Sequence, residues 1–206
     1  MNTGLILFCG CVLLYTFILI FSHYKFPFAP IQYSISANNF EELKLQIEKE
    51  LLNNYFKSGS EKLYENMGTV YGYSMKGFMH SEDIYLINMA MNINEDGGYK
   101  SIKNLNHEIL ATYPPIFRTR GDGTIFIYCF DYISEEIVTS VTSNWRFLVT
   151  KRSNAFDYPL FISFDTKTAY SINFNNKPPK DDLSKVVSHS WNKQFKPISS
   201  LFEQKF

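Results

Sequence analysis

The hydrophobic pattern of the chain opens with an unbroken block. From Gly4 to Ser22, "GLILFCGCVLLYTFILIFS", no charged side chain interrupts it. A helix over those nineteen residues rises roughly 28 Å, close to the ~30 Å hydrocarbon core of a bilayer. A signal-peptide core is usually only ~7–15 residues and follows a basic segment; here only the amino terminus precedes the run. A small-residue cleavage pattern, "SISA" from Ser34 to Ala37, lies well beyond the hydrophobic end. Cys11 invites a lipoprotein reading, but Phe8 stands where a Leu-like residue is needed and the apolar run continues past the cysteine. Core helices of soluble domains are seldom apolar on every face over such a length. The pattern therefore predicts a permanent transmembrane anchor over residues 1–23, with membrane lipid as its partner through residues 4–22.

Residues 24–37, "YKFPFAPIQYSISA", carry two prolines among alternating aromatics and read as an extended linker. Amphipathic periodicity begins at Asn38. Phe40, Leu43, Ile47, Leu51 and Tyr55 recur at helical spacing, with Asn38 and Glu41 in a capping-box arrangement before them and Gly59 after. This stripe packs on its own domain, since it is too short for a coiled coil. Two alternating runs, Val70 to Met79 and Ile84 to Ile93, then predict a hairpin across "HSED" with one buried side. Ile102, Leu105, Ile109 and Tyr113 predict a short helix stopped by Pro114 and Pro115.

"IFRTRGDGTIFIYCFDYI" reads as a second hairpin, in which Ile125 to Ile133 is apolar on nearly both faces and so belongs to a central strand. Ser134 to Ser143 is divided: "SEE" starts a helix well, but Ile137, Val138, Thr139, Val141 and Thr142 are β-branched and favour a strand. Trp145 to Thr150 follows, and then a hairpin of Leu160–Phe164 and Ala169–Phe174 across "DTKT". After the polar "NNKPPK", a last helix from about residue 181 carries Leu183, Val187, Trp191 and Phe195 on one stripe. The whole is an α+β fold: a transmembrane helix, a linker, and one domain over 38–206 with a mainly antiparallel sheet and about three helices. Residues from about Asn38 are expected to fold without the anchor.

Composition narrows the partners. Twenty basic and twenty acidic side chains give a formal charge of zero, with no long like-charge block, so no nucleic-acid footprint is present. Cys129 is the only cysteine beyond the anchor, which leaves no internal disulfide to form. The abundance of Asn, Ile, Lys, Phe and Tyr is the bias of AT-rich coding DNA and suits a bacterial plasmid or phage. The amino terminus at one end of the anchor and Lys25 at the other nearly balance. A very short N-terminal tail favours a periplasmic domain held at the inner membrane.

Candidate chemistry is sparse. "NINEDGG" at Asn92 to Gly98 resembles the start of a calcium loop, but Lys103 stands at the twelfth place, where a bidentate Glu is needed. Arg120-Gly121-Asp122 is ordinary turn chemistry; Arg118 and Arg120 could hold a carboxylate or phosphate. His80 lies near Glu82 and Asp83, and His107 precedes Glu108, yet no catalytic motif accompanies either histidine. Cys129 reads as a buried structural thiol. These readings point to no enzyme, no metal and no cofactor. They favour a membrane-anchored envelope protein that binds an unknown protein partner, in the manner of a plasmid or phage exclusion, immunity or transfer protein. The candidate interaction surface comprises Leu183, Val187, Trp191, Phe195, Arg118 and Arg120. The alternatives are an assembly subunit of a secretion or conjugation complex and a membrane-tethered hydrolase.

Overall fold

The computed structural model describes residues 30–53, 61–64, 68–76, 81–89, 98–112, 123–143, 156–173, 189 and 191–205. In chain order the elements are β1 (Pro30–Ser34), α1 (Phe40–Asn53), β2 (Glu61–Tyr64), β3 (Gly68–Lys76), β4 (Ser81–Met89), α2 (Gly98–Thr112), β5 (Gly123–Phe130), α3 (Glu135–Ser143), β6 (Phe156–Ser163) and β7 (Thr168–Ile172). Residues 191–195 are helical and run into a 3-10 helix, Lys196–Leu201, before the two-residue strand β8 (Glu203–Gln204). The strands form one sheet in the order β2-β3-β4-β5-β6-β7-β1-β8. The fold is α+β, and its sheet is mixed: β4, β5 and β6 are parallel neighbours, and the other pairings are antiparallel.

β5 explains the centre. All eight of its residues are buried, because both faces of the sheet are covered. Ile125, Ile127 and Cys129 point into one apolar layer with Leu43, Ile47, Leu51, Trp191 and Phe195. Phe126, Tyr128 and Phe130 point into the other with Ile102, Leu105, Ile109, Val138 and Val141. Successive residues of a strand alternate faces, so a strand between two helical layers must be apolar throughout. The single buried side expected for β4 is corrected for the same reason: Ile84 and Leu86 fill one layer while Tyr85 and Ile87 fill the other.

The expected hairpin ahead of β5 is also corrected. β5 pairs in parallel with β4 on one side and β6 on the other, for example Leu86↔Ile127 and Ile127↔Leu160. Parallel neighbours need crossover connections, and α2 and α3 supply them. Both lie on the same face, as a consistent crossover hand requires when strands step in one direction. That resolves Ser134 to Ser143 as a helix. Ser134 Oγ accepts the Ile137 N–H at 3.3 Å, Glu135 and Glu136 occupy the first turn, and the β-branched Val138 and Val141 become its buried face.

The capping box of α1 lies one residue later than the sequence spacing indicates. Asn39 Oδ1 accepts the Glu42 N–H at 2.9 Å, and Glu42 Oε2 accepts the Asn38 N–H at 2.8 Å. Those bonds from Asn38 hold the exposed Glu42 carboxyl below its usual range. Phe40, Leu43, Ile47 and Leu51 are buried as the stripe predicts. Tyr55 lies outside the described residues.

The linker reading is corrected at its distal end. Pro30–Ser34 is not a spacer but a strand inserted between β7 and β8, with Tyr33 opposite Ala169 and Gln204. Tyr33, Ile35 and Ala37 belong to the core, and the Ile35 N–H donates to the Lys167 carbonyl at 3.1 Å. The β6–β7 hairpin forms as expected; Lys167 adopts a positive φ of 48° at its turn. One close approach requires a glycine. Gly72 faces Tyr85 across the β3–β4 pair, where a Cβ would come within 3.0 Å of the Tyr85 ring.

Among the described residues no helix is long and apolar enough to cross a membrane. The Gly4–Ser22 run lies outside them.

Candidate functional site

The sheet face beneath α2 and α3 carries the densest arrangement of buried polar groups. Register places Asp83, Thr124 and Asp157 side by side on β4, β5 and β6, and all three are buried. One step along the strands the row becomes aromatic. Tyr85 and Phe126 stack at 5.4 Å, and Tyr128 and Phe161 at 5.1 Å. Tyr128 donates its hydroxyl proton to Asn106 Oδ1 at 2.6 Å, which fixes α2 to the sheet at a buried point. Burial, with a contribution from the Asp157 charge, pushes the Tyr128 hydroxyl well above its ordinary range.

On the opposite face Tyr73 donates to Glu48 Oε1 at 3.0 Å. Burial first, then the Glu48 charge, raises the Tyr73 phenol strongly. These two tyrosines make the fold sensitive to alkali. A phenol ionises near pH 10 in the unfolded chain, and both are held neutral in the folded one, so the unfolded state loses protons first. The contribution of these two phenols should be complete below about pH 10 and fall as the pH rises beyond it. Unfolding by denaturant across that range, read with phenolate absorbance, checks this. Tyr73→Phe together with Tyr128→Phe should flatten the dependence.

The sequence-derived candidates are dispersed. Trp191 and Phe195 are core residues: they stack on each other at 4.6 Å, and Trp191 also meets Tyr158 at 5.4 Å. Their stripe is therefore docked on the domain at this end. Leu183, Val187, Arg118, Arg120 and His80 lie outside the described residues, as does the calcium-like stretch at 92–97. His107 and Glu108 are exposed on α2, whereas Asp83 is buried in the sheet. Cys129 is buried, and burial raises its thiol well above the ordinary range, the state of an inert structural cysteine. Among the described residues no group of His, Cys, Asp and Glu could hold a metal ion.

What sequence reasoning missed lies on the outer side of α1. Leu45 and Leu52 are 66% and 64% exposed, seven residues apart, opposite the stripe that packs on the sheet. Tyr132, after β5, is 57% exposed. The signal was present in the sequence, because a helix with leucines on both sides of its buried stripe has more apolar surface than one interface uses.

No family model and no curated protein matches the chain.

Proposed function

We propose that the protein is a single-pass, N-terminally anchored protein of the bacterial inner membrane whose α+β domain binds another protein. The observation that carries the tether is the position of β1. The sheet starts at Pro30, so the small-residue pattern Ser34 to Ala37 lies inside the fold, with Ala37 fully buried. Cleavage there would excise a strand paired on both sides. This supports the reading that the charge-free run at Gly4–Ser22 stays attached, seven residues (23–29) before the sheet. The domain is proposed to lie on the periplasmic side.

We place the protein contact on the outer side of α1, where Leu45 and Leu52 are exposed seven residues apart. A role in plasmid or phage exclusion, immunity or transfer fits the AT-rich composition. Two experiments test the reading. Leu13→Arg places a charge at mid-anchor, at a cost of ~2.5–3.5 kcal/mol on the insertion scale. It should move the protein from the membrane fraction to the soluble fraction; retention equal to wild type would oppose the tether. Photo-crosslinkers at positions 45 and 52 of the full chain should capture one defined protein, and crosslinkers at exposed His107 should not. Equal yields from both faces would defeat the contact assignment.

A further inference from the structure

The outer side of α1 is a single stripe. Glu41, Leu45, Lys49, Leu52 and Asn53 are the exposed residues of this helix, while Phe40, Leu43, Ile47 and Leu51 are buried on the opposite side. Steps of three and four residues keep positions on one helical face, so 41, 45, 49 and 52 form a row that points away from the sheet. Two members of the row are leucines, each about two-thirds exposed, and the other two carry opposite charges.

The order of the row decides what it fits. Leu45 stands midway between Glu41 and Lys49, four residues from each, or about 6 Å along the axis at 1.5 Å per residue. A second α1 laid alongside in the same direction and register would set Glu41 against Glu41 and Lys49 against Lys49, and like charges across a contact repel. Reversed about Leu45, the second helix brings Glu41 of each copy level with Lys49 of the other, and the two Leu45 side chains meet at the centre. Leu52, about 10 Å from Leu45 along the axis, then reaches the first turn of the other helix. A two-fold contact must be self-complementary, because one patch serves both sides. The row Glu41-Leu45-Lys49 meets that condition about its own midpoint, a symmetry that an unrelated partner would not require.

We infer that two copies of this chain pair through antiparallel α1 helices, with Leu45 at the two-fold axis and a Glu41–Lys49 pair on either side of it. The inference rests on the α1 contact proposed above and names its partner as a second copy of the chain. The axis is perpendicular to both helices, so two tethered copies stand on one bilayer when α1 lies along its surface. A single helix pair buries less than the ~1,200–2,000 Å² of a stable specific interface. Pairing is therefore weak and concentration-dependent, and its exposed ion pairs select the antiparallel arrangement more than they add affinity.

The test follows self-association of the full chain in detergent by sedimentation over a concentration series at low salt. Glu41→Lys and Lys49→Glu should each weaken pairing several-fold, because each sets like charges together at both ends of the contact. An equimolar mixture of the two variants should recover pairing, since each copy then supplies the charge that the other lacks. Mixing cannot repair a misfolded helix, and neither variant touches the hydrophobic run at Gly4–Ser22, so recovery reports this contact alone. At 1 M salt, where the screening length is about 3 Å, the differences should shrink. A wild-type chain that does not pair, pairing indifferent to either reversal, or a mixture no stronger than its components overturns the inference. A photo-crosslinker at Leu45 separates it from the reading it rests on. A conjugate of twice the chain mass supports both, a conjugate with a different protein keeps the α1 contact and overturns the pairing, and no conjugate overturns both.

Discussion

A chain truncated to begin at Asn38 should lose its cooperative unfolding transition, whereas one that begins at Phe28 should keep it without detergent. The longer chain retains β1, and the shorter one does not. Tyr33, Ile35 and Ala37 are buried in the layer beneath α1; Tyr33 also packs against Phe195 at 5.6 Å and Phe202 at 6.2 Å. Burial of Tyr33 and Ile35 together contributes about 3–6 kcal/mol at roughly 1.5–3 for each large apolar side chain. Loss of β1 also detaches β8, whose only sheet partner among the described residues is β1, and leaves β7 an unpaired edge. Set against a total stability of about 5–15 kcal/mol for a domain, these losses together remove a large part of the margin. Urea titrations of both chains followed by far-ultraviolet circular dichroism decide it. A sharp transition in the chain starting at Asn38 would show that the sheet closes without its first strand.

Trp191→Ala carries the second largest expected effect, about 3–5 kcal/mol, the range for truncation of a large buried aromatic. Trp191 is 2% exposed. It lies between Tyr158 on β6 and Phe195 of its own helical segment, so its loss opens a cavity where the C-terminal segment meets the sheet. Phe195 continues that contact to Tyr33 and Phe202, which couples the end of the chain to β1. The variant should also weaken protection of β1 amides in hydrogen exchange, because the same cluster holds both. Unchanged unfolding of Trp191→Ala would mean that the stripe is free of the core and available to a partner.

The physical reason for each sequence success and failure is local. The apolar run of β5 was legible because a strand covered on both faces has no polar option, and the stripe of α1 because one face alone meets the sheet. The parallel arrangement was hidden: β5 follows a Gly-Asp-Gly that resembles a hairpin turn, and pairing direction depends on a helix that crosses between strands. α3 was ambiguous because β-branched residues favour strands until a crossover position and a Ser134 cap make them a buried helical face. β1 was obscured by its leading prolines, although the first position of a strand, where Pro30 stands, tolerates proline. Trp191 and Phe195 were identified as a stripe, but spacing alone does not distinguish a docked face from an open one. The exposed Leu45 and Leu52 were readable as apolar positions, yet only the packing of α1 reveals which of its leucines remain outside.

The proposal's central claim is that the chain stays tethered through Gly4–Ser22, seven residues before β1. The most direct test is the intact mass of the mature protein recovered from membranes after an alkaline carbonate wash. The account predicts a membrane-retained chain that still contains residues 4–22. A washed-off chain that begins anywhere between residue 23 and Ala37 would contradict it.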